Sequence, residues 1–197
     1  MIATILLAAG KSSRMRGRDK LMEEVDGAPL LRRMTRIALD AGLGPVLVTL
    51  PDLDHPRAGA LAELSVQLLP VPEADQGMGV SLRTGARSLP EGLDGVLVLP
   101  ADMPDISPGD LRQIAAAFRG DPRPILRGAS GGTPGHPVLF PATLIPELQK
   151  LSGDRGAAPV IAAHKHLLQL VPLPGAHAVT DLDAPEAWDE WRRSRGR

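Results

Sequence analysis

Short, almost unbroken apolar runs recur along this chain, and they constrain its fold more than any other feature. "IATILL" (2–7), "PVLVTL" (45–50), "VQLLPV" (66–71) and "DGVLVL" (94–99) are strand-length and rich in branched aliphatic side chains, with looser versions at 124–127 and 137–140. A strand that alternates apolar and polar residues can leave one face in water, whereas strands like these must be covered on both. Segments with helical spacing lie between them. Across 29–42, Leu30, Leu31, Met34, Ile37, Ala38 and Ala41 share a face, Pro29 suits the first helical position, and Gly42 stops the run. Across 107–119, Ser107 and Pro108 make an N-cap and first-turn pair; 79–89 and 156–166 are weaker helical segments. Buried strands alternating with helices predict an α/β fold, a three-layer sandwich around a mostly parallel sheet. The 197 residues suit one domain, 1–197, with 191–197 ("WRRSRGR") expected to be a frayed, solvated tail.

Composition narrows what such a fold could do. Cysteine is absent, which removes disulfides, thiolate catalysis and Cys-ligated metals. Lys and Arg (22) nearly cancel Asp and Glu (23), so no basic surface favours nucleic acid. Phe118, Phe140, Trp188 and Trp191 are the only aromatic residues, too few for base-stacking platforms. The five His are scattered, and His164 and His166 would point to different sides of a helix, which argues against zinc. The opening apolar run is too short to span a membrane and lacks a basic leader, so a cytoplasmic enzyme without membrane contact is expected.

Ligands of open parallel sheets gather at the carboxyl ends of the strands. The loop after the first strand reads "AAGKSSRMRGRDK" (8–20). Gly10-Lys11-Ser12 has the ending of a P-loop, but the first glycine of that motif would fall at Ile5, inside the strand. The dinucleotide fingerprint fails as well, because Ala8 and Ser13 stand where it needs glycine. Ala8, Ala9 and Gly10 nonetheless let backbone N–H groups approach a triphosphate. Lys11, Arg14, Arg16, Arg18 and Lys20 surround that turn with cations, opposed only by Asp19. A solvated charged loop is the competing reading. The second place is "VLVLPADMPDISP", where Asp102 follows the 94–99 strand between Pro100 and Pro104. A carboxylate there suits Mg2+, which takes oxygen ligands and bridges to substrate phosphates; capping of a turn would also explain it. Asp105 reads as an ordinary loop residue.

Together, "LLAAGKSSRMRGRDKL" and "VLPADMP" resemble the signature loop and the metal-aspartate motif of nucleotidyltransferases with a glycosyltransferase-A-like, nucleotide-diphosphosugar-transferase fold. "GMGVSLRTG" (77–85), "GGTPGHPVLF" (131–140), "LSGDRGA" (151–157) and "DLDAPEAW" (181–188) then resemble, in order, motifs of the molybdenum cofactor cytidylyltransferases. The resemblance spans nearly the whole chain. Two departures stand out: Met15-Arg16-Gly17 carries an extra residue before the lysine, and Ala184 replaces a threonine, at the cost of a cap hydroxyl.

The resemblance implies Mg2+-dependent transfer of CMP from CTP to molybdenum-bearing molybdopterin, releasing pyrophosphate. It implies α-phosphate stabilisation by Lys20, Mg2+ on Asp102, and β- and γ-phosphates held by Arg14 and the 8–13 backbone, including Ala8, Ala9, Gly10 and Ser12. Lys11 is left to solvent or a secondary phosphate contact. Gly77, Gly79 and Ser81 would face base and ribose, the glycines letting the base lie on the backbone; capping is the alternative for Ser81. His136 and Arg155 would face the acceptor. Asp181 and Asp183 would add a metal contact or face the pterin, unless Asp183 only caps the helix starting near Pro185. Cytosine follows from Ala8-Ala9-Gly10, which looks like the cytidylyl branch. Transient contact with a molybdoenzyme or its maturation factor is implied too. Other small phosphate acceptors, GTP or ATP, and a non-catalytic cofactor carrier or nucleotide sensor remain alternatives.

Overall fold

The computed structural model describes residues 1–196. Its strands are β1 (Ile2–Leu7), β2 (Glu24–Val25), β3 (Ala28–Pro29), β4 (Val46–Leu50), β5 (Gln67–Pro70), β6 (Gly95–Pro100), β7 (Ile125–Ser130), β8 (Thr133–Pro141) and β9 (Leu168–Pro172). The helices are α1 (Leu30–Ala41), α2 (Pro56–Ala60), α3 (Met78–Arg87), α4 (Pro108–Ala117), α5 (Ile145–Leu148), α6 (Ala158–Ala163) and α7 (Pro185–Ser194). Seven strands form one sheet in the order β5-β4-β1-β6-β8-β7-β9, and β2 pairs with β3 alone. Within the seven-stranded sheet only β8 runs against its neighbours, and the β2–β3 pair is antiparallel.

The central strands are buried on both faces because alternate residues feed two cores. Leu97 and Leu99 of β6 join Leu6 and Val48 against α1, α4 and α7, where Leu31, Met34, Leu111, Ile114 and Trp188 pack. Val96 and Val98 point the other way, with Ile5, towards Leu82, Phe140, Leu148 and Val160. The period-two alternation of a strand thus produces the three expected layers.

Local signals set the element ends. Ser107 and Asp110 form a reciprocal capping box at α4, with Pro108 in the first turn. Gly42 closes α1 in the left-handed conformation (φ 68°). Pro29 sits one residue earlier than expected, pairing with Glu24 in the β2–β3 ribbon and preceding α1. Four expectations need correction. The looser runs at 124–127 and 137–140 are parts of a longer β7–β8 hairpin. β9 was not foreseen, because its exposed Gln169 and Leu170 belong to a sheet edge. The helix expected over 156–166 is confined to Ala158–Ala163. The C-terminal segment is not frayed from 191: α7 continues to Ser194, with Trp191 buried edge-on to Trp188. Arg197 of that expected tail lies outside the described residues.

The chain runs outward from β1 to β4 and β5, then returns to place β6 on the other flank of β1. Strand order therefore reverses between β1 and β6, and such a switch opens a crevice at the strands' carboxyl ends.

Candidate active site

A cleft of about 340 Å3 fills that crevice. Leu7, Ala8, Ala9 and Gly10 line it from the end of β1, and Pro100 and Asp102 from the end of β6. Lys20, Gly77, Met78, Ser81 and Asp154 complete the wall.

Lys20 is at the chemical centre. Its ammonium donates to Asp102 Oδ2 at 2.5 Å and also to Asp183 Oδ1. The Lys20 and Asp102 side chains are each 15% exposed. Burial alone would push the lysine down, but Asp102 and then Asp183 outweigh it and hold the pKa above the ordinary lysine value. Burial would likewise raise Asp183; the bond from Lys20 and the charges of Lys20 and Arg14 hold it low. Burial first, then the negative charges of Asp183 and Asp102, raises Asp181.

Asp183 reaches this centre from the far end of the chain because the Leu182 N–H donates to the Asp102 carbonyl at 3.1 Å. The N-cap of α7 is Ala184, with no side-chain cap bond, so capping does not explain Asp183. The missing hydroxyl at Ala184 is the consequence that its replacement of threonine implied. Two carboxylates bridged by one ammonium are also within reach of one divalent cation, and the Lys20 charge stands in for it. Asp102 and Asp183 therefore fit a metal whose remaining ligands come from substrate phosphate and water; no cluster of three or more acidic or imidazole ligands occurs among the described residues.

The cations of the loop divide into two groups. Arg14 is solvent-exposed and bonds Asp183 at 2.6 Å, beside Gly10, Lys11, Ser12, Ser13 and Lys20. Lys11 is 71% exposed, 3.8 Å from Asp75. Arg16 and Arg18 pair instead with Glu186 and Glu23, outside the cluster of Lys20, Asp102 and Asp183. Asp19 does not merely oppose them; it pairs with the buried Arg57.

Gly77 and Gly79 line or flank the cleft, and a close approach of backbone requires glycine at both. A Cβ at Gly77 would meet Gly153 at 2.4 Å, and one at Gly79 would meet the Ser152 carbonyl at 2.7 Å. These glycines let the 152–154 loop dock on α3, where the Gly79 N–H donates to Gly153 O at 2.8 Å. Ser81 is buried within α3 and lines the cleft; the N-cap position is Gly77, which removes the capping explanation.

A second cavity of about 160 Å3 shares Leu7 and Met78 with the first. His136, Arg155 and Arg127 line it among Leu82, Val98 and Phe140. His136 Nδ1 is buried with no hydrogen-bond partner among the described residues. Burial, reinforced by the Arg127 charge, lowers the His136 pKa to about 4 and keeps the ring neutral. Arg127 was not foreseen; "PILRGAS" is a polar interruption of a strand, and only the β7–β8 pairing turns it towards His136.

A strand-switch crevice with a small-residue loop, a buried lysine and facing carboxylates defines an enzyme of the nucleotidyltransferase type. The MobA-like NTP transferase domain matches residues 4–167, and the chain belongs to that family. It is 30% identical to the purine catabolism protein PucB of Bacillus subtilis, over 96% of this chain and 95% of that protein. A protein of Opitutus terrae named "Probable molybdenum cofactor guanylyltransferase" is 27% identical over 98% of this chain and 95% of its own length. The crystal structure of Rv0371c from Mycobacterium tuberculosis superposes with a TM-score of 0.82 at 25% identity, covering 100% of this chain and 98% of that one. A further structure of Rv0371c is described as a complex with manganese (TM-score 0.77, 26% identity, 98% and 96% covered). No helix among the described residues is long and apolar enough to cross a membrane.

Proposed function

We propose that the enzyme transfers CMP from CTP to the terminal phosphate of molybdenum-bearing molybdopterin, giving the cytosine dinucleotide cofactor and pyrophosphate. The observation that carries this reading is the pair of adjoining cavities. The phosphate-side cleft, with Lys20 and Asp102, shares the Leu7–Met78 wall with a smaller cavity bearing two arginines and a neutral, unpartnered imidazole. A compact heterocycle with an anionic arm matches that second cavity: Arg155 for the phosphate, His136 for a ring hydrogen bond. The relative named for molybdenum cofactor chemistry supports the same acceptor class.

An acceptor phosphate oxygen attacks the α-phosphorus as the bond to the β-phosphate oxygen breaks, and pyrophosphate leaves. The protein positions the reactants and neutralises charge. Lys20 stabilises the α-phosphate, while Arg14 and the 8–12 backbone hold the β- and γ-phosphates. Asp102 and Asp183 hold Mg2+, which supplies further neutralisation when bound. Lys11 adds long-range attraction, and Ser81 offers a hydroxyl to the nucleoside.

GTP is the second reading, favoured by the guanylyltransferase name of the Opitutus relative; Ala8-Ala9-Gly10 supports cytosine. Pyrophosphate release with Mg2+, molybdenum-loaded molybdopterin and CTP, GTP or ATP in separate reactions tests both. Release with CTP alone, with a cytidine-containing pterin product, is expected. Release with GTP alone would replace the base, and release with none would overturn the acceptor.

A further inference from the structure

Among the described residues Arg57 is the one arginine with its side chain fully inside the protein, 2% exposed; it lines neither the cleft nor the acceptor cavity, yet it bonds two residues of the cleft wall. All of its donors are directed at the loop that follows β1. Nε and Nη2 fork onto Asp19 at 2.7 Å each. Nη1 donates to the carbonyls of Ala8 at 2.5 Å and Gly10 at 2.9 Å, and Nη2 also to Ser12 Oγ at 3.2 Å. Ser12 Oγ in turn donates to Asp19 and accepts from the Lys20 N–H, both at 3.2 Å. One guanidinium thus ties the start of the loop to its end, next to Lys20.

In a trans peptide the carbonyl and the following N–H point in opposite directions. Drawing the carbonyls of Ala8 and Gly10 onto Arg57 turns the N–H groups of Ala9 and Lys11 away from the guanidinium; Ala9 lines the cleft, and Lys11 lines the adjoining hollow with Arg14, Lys20 and Asp183. Those N–H groups carry no hydrogen bond within the described protein. Ser12 is held left-handed at φ 45°, an unfavourable conformation for serine that its bonds to Arg57, Asp19 and Lys20 compensate. A run of free N–H groups beside a left-handed residue is an anion-binding concavity.

We infer that Arg57, locked by Asp19, is a positioning residue that aims the loop amides at the β- and γ-phosphates of the nucleotide. The inference rests on the phosphate role of this loop, but not on which base or acceptor the enzyme uses. Lysine cannot replace the fork, since one ammonium cannot serve Asp19 and two carbonyls in this planar arrangement.

The test is calorimetric binding of inorganic tripolyphosphate with Mg2+ to the full chain, which needs neither base nor pterin. Groups that support first-contact ligands are commonly worth about 10- to 100-fold in affinity. Arg57→Lys should therefore weaken tripolyphosphate binding about tenfold or more. The same variant should bind CMP or GMP, whichever the unaltered protein binds, within about twofold of its normal affinity, because the monophosphate does not need the β- and γ-cradle. Asp19→Asn, which keeps the volume and loses the charged fork, should show the same split and serves if Arg57→Lys does not fold. Equal tripolyphosphate binding in a folded variant would overturn the assignment. So would equal loss of monophosphate and tripolyphosphate binding in a folded variant, because the contribution of Arg57 would then not be confined to the β- and γ-phosphates. Failure of the unaltered protein to bind tripolyphosphate would remove the phosphate role of the loop itself, and the inference with it.

Discussion

Lys20 is engaged twice over, and its occupation has a measurable consequence. Its ammonium stands between Asp102 and Asp183, where a divalent cation held by both would have to be. Lys20→Met should therefore raise the affinity of the nucleotide-free protein for Mn2+, read by electron paramagnetic resonance, while turnover falls about 10²- to 10³-fold. Weaker Mn2+ binding in that variant would mean the lysine helps to build the metal site instead of blocking it. Asp102→Asn should abolish metal-dependent turnover with an unchanged circular dichroism spectrum. His136 gives a pH signature. Its folded pKa is about 4 against an ordinary 6.5, so the unfolded chain binds more protons between those values. Stability is complete above about pH 6.5 and falls as pH drops towards 4, by on the order of 3 kcal/mol at the limit. The charged groups facing the ring are Arg127, which lowers the pKa, and Asp102, which opposes it more weakly. In urea titrations at pH 4.5 and 7.5, His136→Gln should lose less stability on acidification than the unaltered protein; an equal loss would show that other groups account for it. Lys20 and Asp102 were legible because motif spacing places them after β1 and β6. Arg57 was not: "PDLDHPRAGA" reads as an exposed polar loop, and its partners lie 38 to 49 residues away.

The elements follow the sequence where a local rule sets them, and depart from it where a neighbour does. The N-cap of α4 needs only Ser107 and Pro108 and forms as read, and Asp110 completes it as a capping box. Ser107→Ala should cost about 1 kcal/mol in a denaturant titration, within the range for lost caps; no change would mean that the bonds to Asp110 are made by water in solution. By contrast, the glycines of "GMGVSLRTG" signal a close approach without revealing what approaches. The answer, the 152–154 backbone, comes from an element more than 70 residues later. Gly79→Ala would drive a methyl to 2.7 Å from the Ser152 carbonyl. Such overpacking commonly costs about 1–3 kcal/mol, and the displaced loop carries Asp154 and Arg155. Calorimetry should show the lower melting temperature, and acceptor KM should rise more than nucleotide KM. Equal changes in both would place the loop's influence on the nucleotide side. The direction of β8 and the existence of β9 were illegible for a related reason: pairing direction and edge position depend on partners, not on the apolar content of the strand itself.

At the scale of the whole molecule, the site is closed by the stretch from Asp181 into α7, the last helix among the described residues. Asp183 meets Lys20 across 163 residues and Arg14 across 169. What holds it there is α7, whose Trp188 is fully buried in the core that also takes in residues of α1, α4 and the sheet, while Arg192 bonds Glu23 at 3.0 Å. The same helix carries Glu186, which pairs with Arg16 of the phosphate loop. Reading 191–197 by composition missed this, because four arginines, a serine and a glycine look like a solvated end; the burial of Trp188 and Trp191 decides it, each ring carrying a large apolar surface. Trp188→Ala should therefore act on fold and function together. Removing a buried tryptophan costs about 3–5 kcal/mol, which in a domain of this size lowers the melting temperature by about 6–20 °C. Because Asp183 and Arg16 are anchored through the same helix, turnover measured well below the new melting point should fall as well, and Asp183→Asn in the Trp188→Ala background should add little further loss. If turnover were instead normal in the folded Trp188→Ala protein, the Leu182–Asp102 backbone bond would be sufficient to hold Asp183 against Lys20, and α7 would serve stability alone.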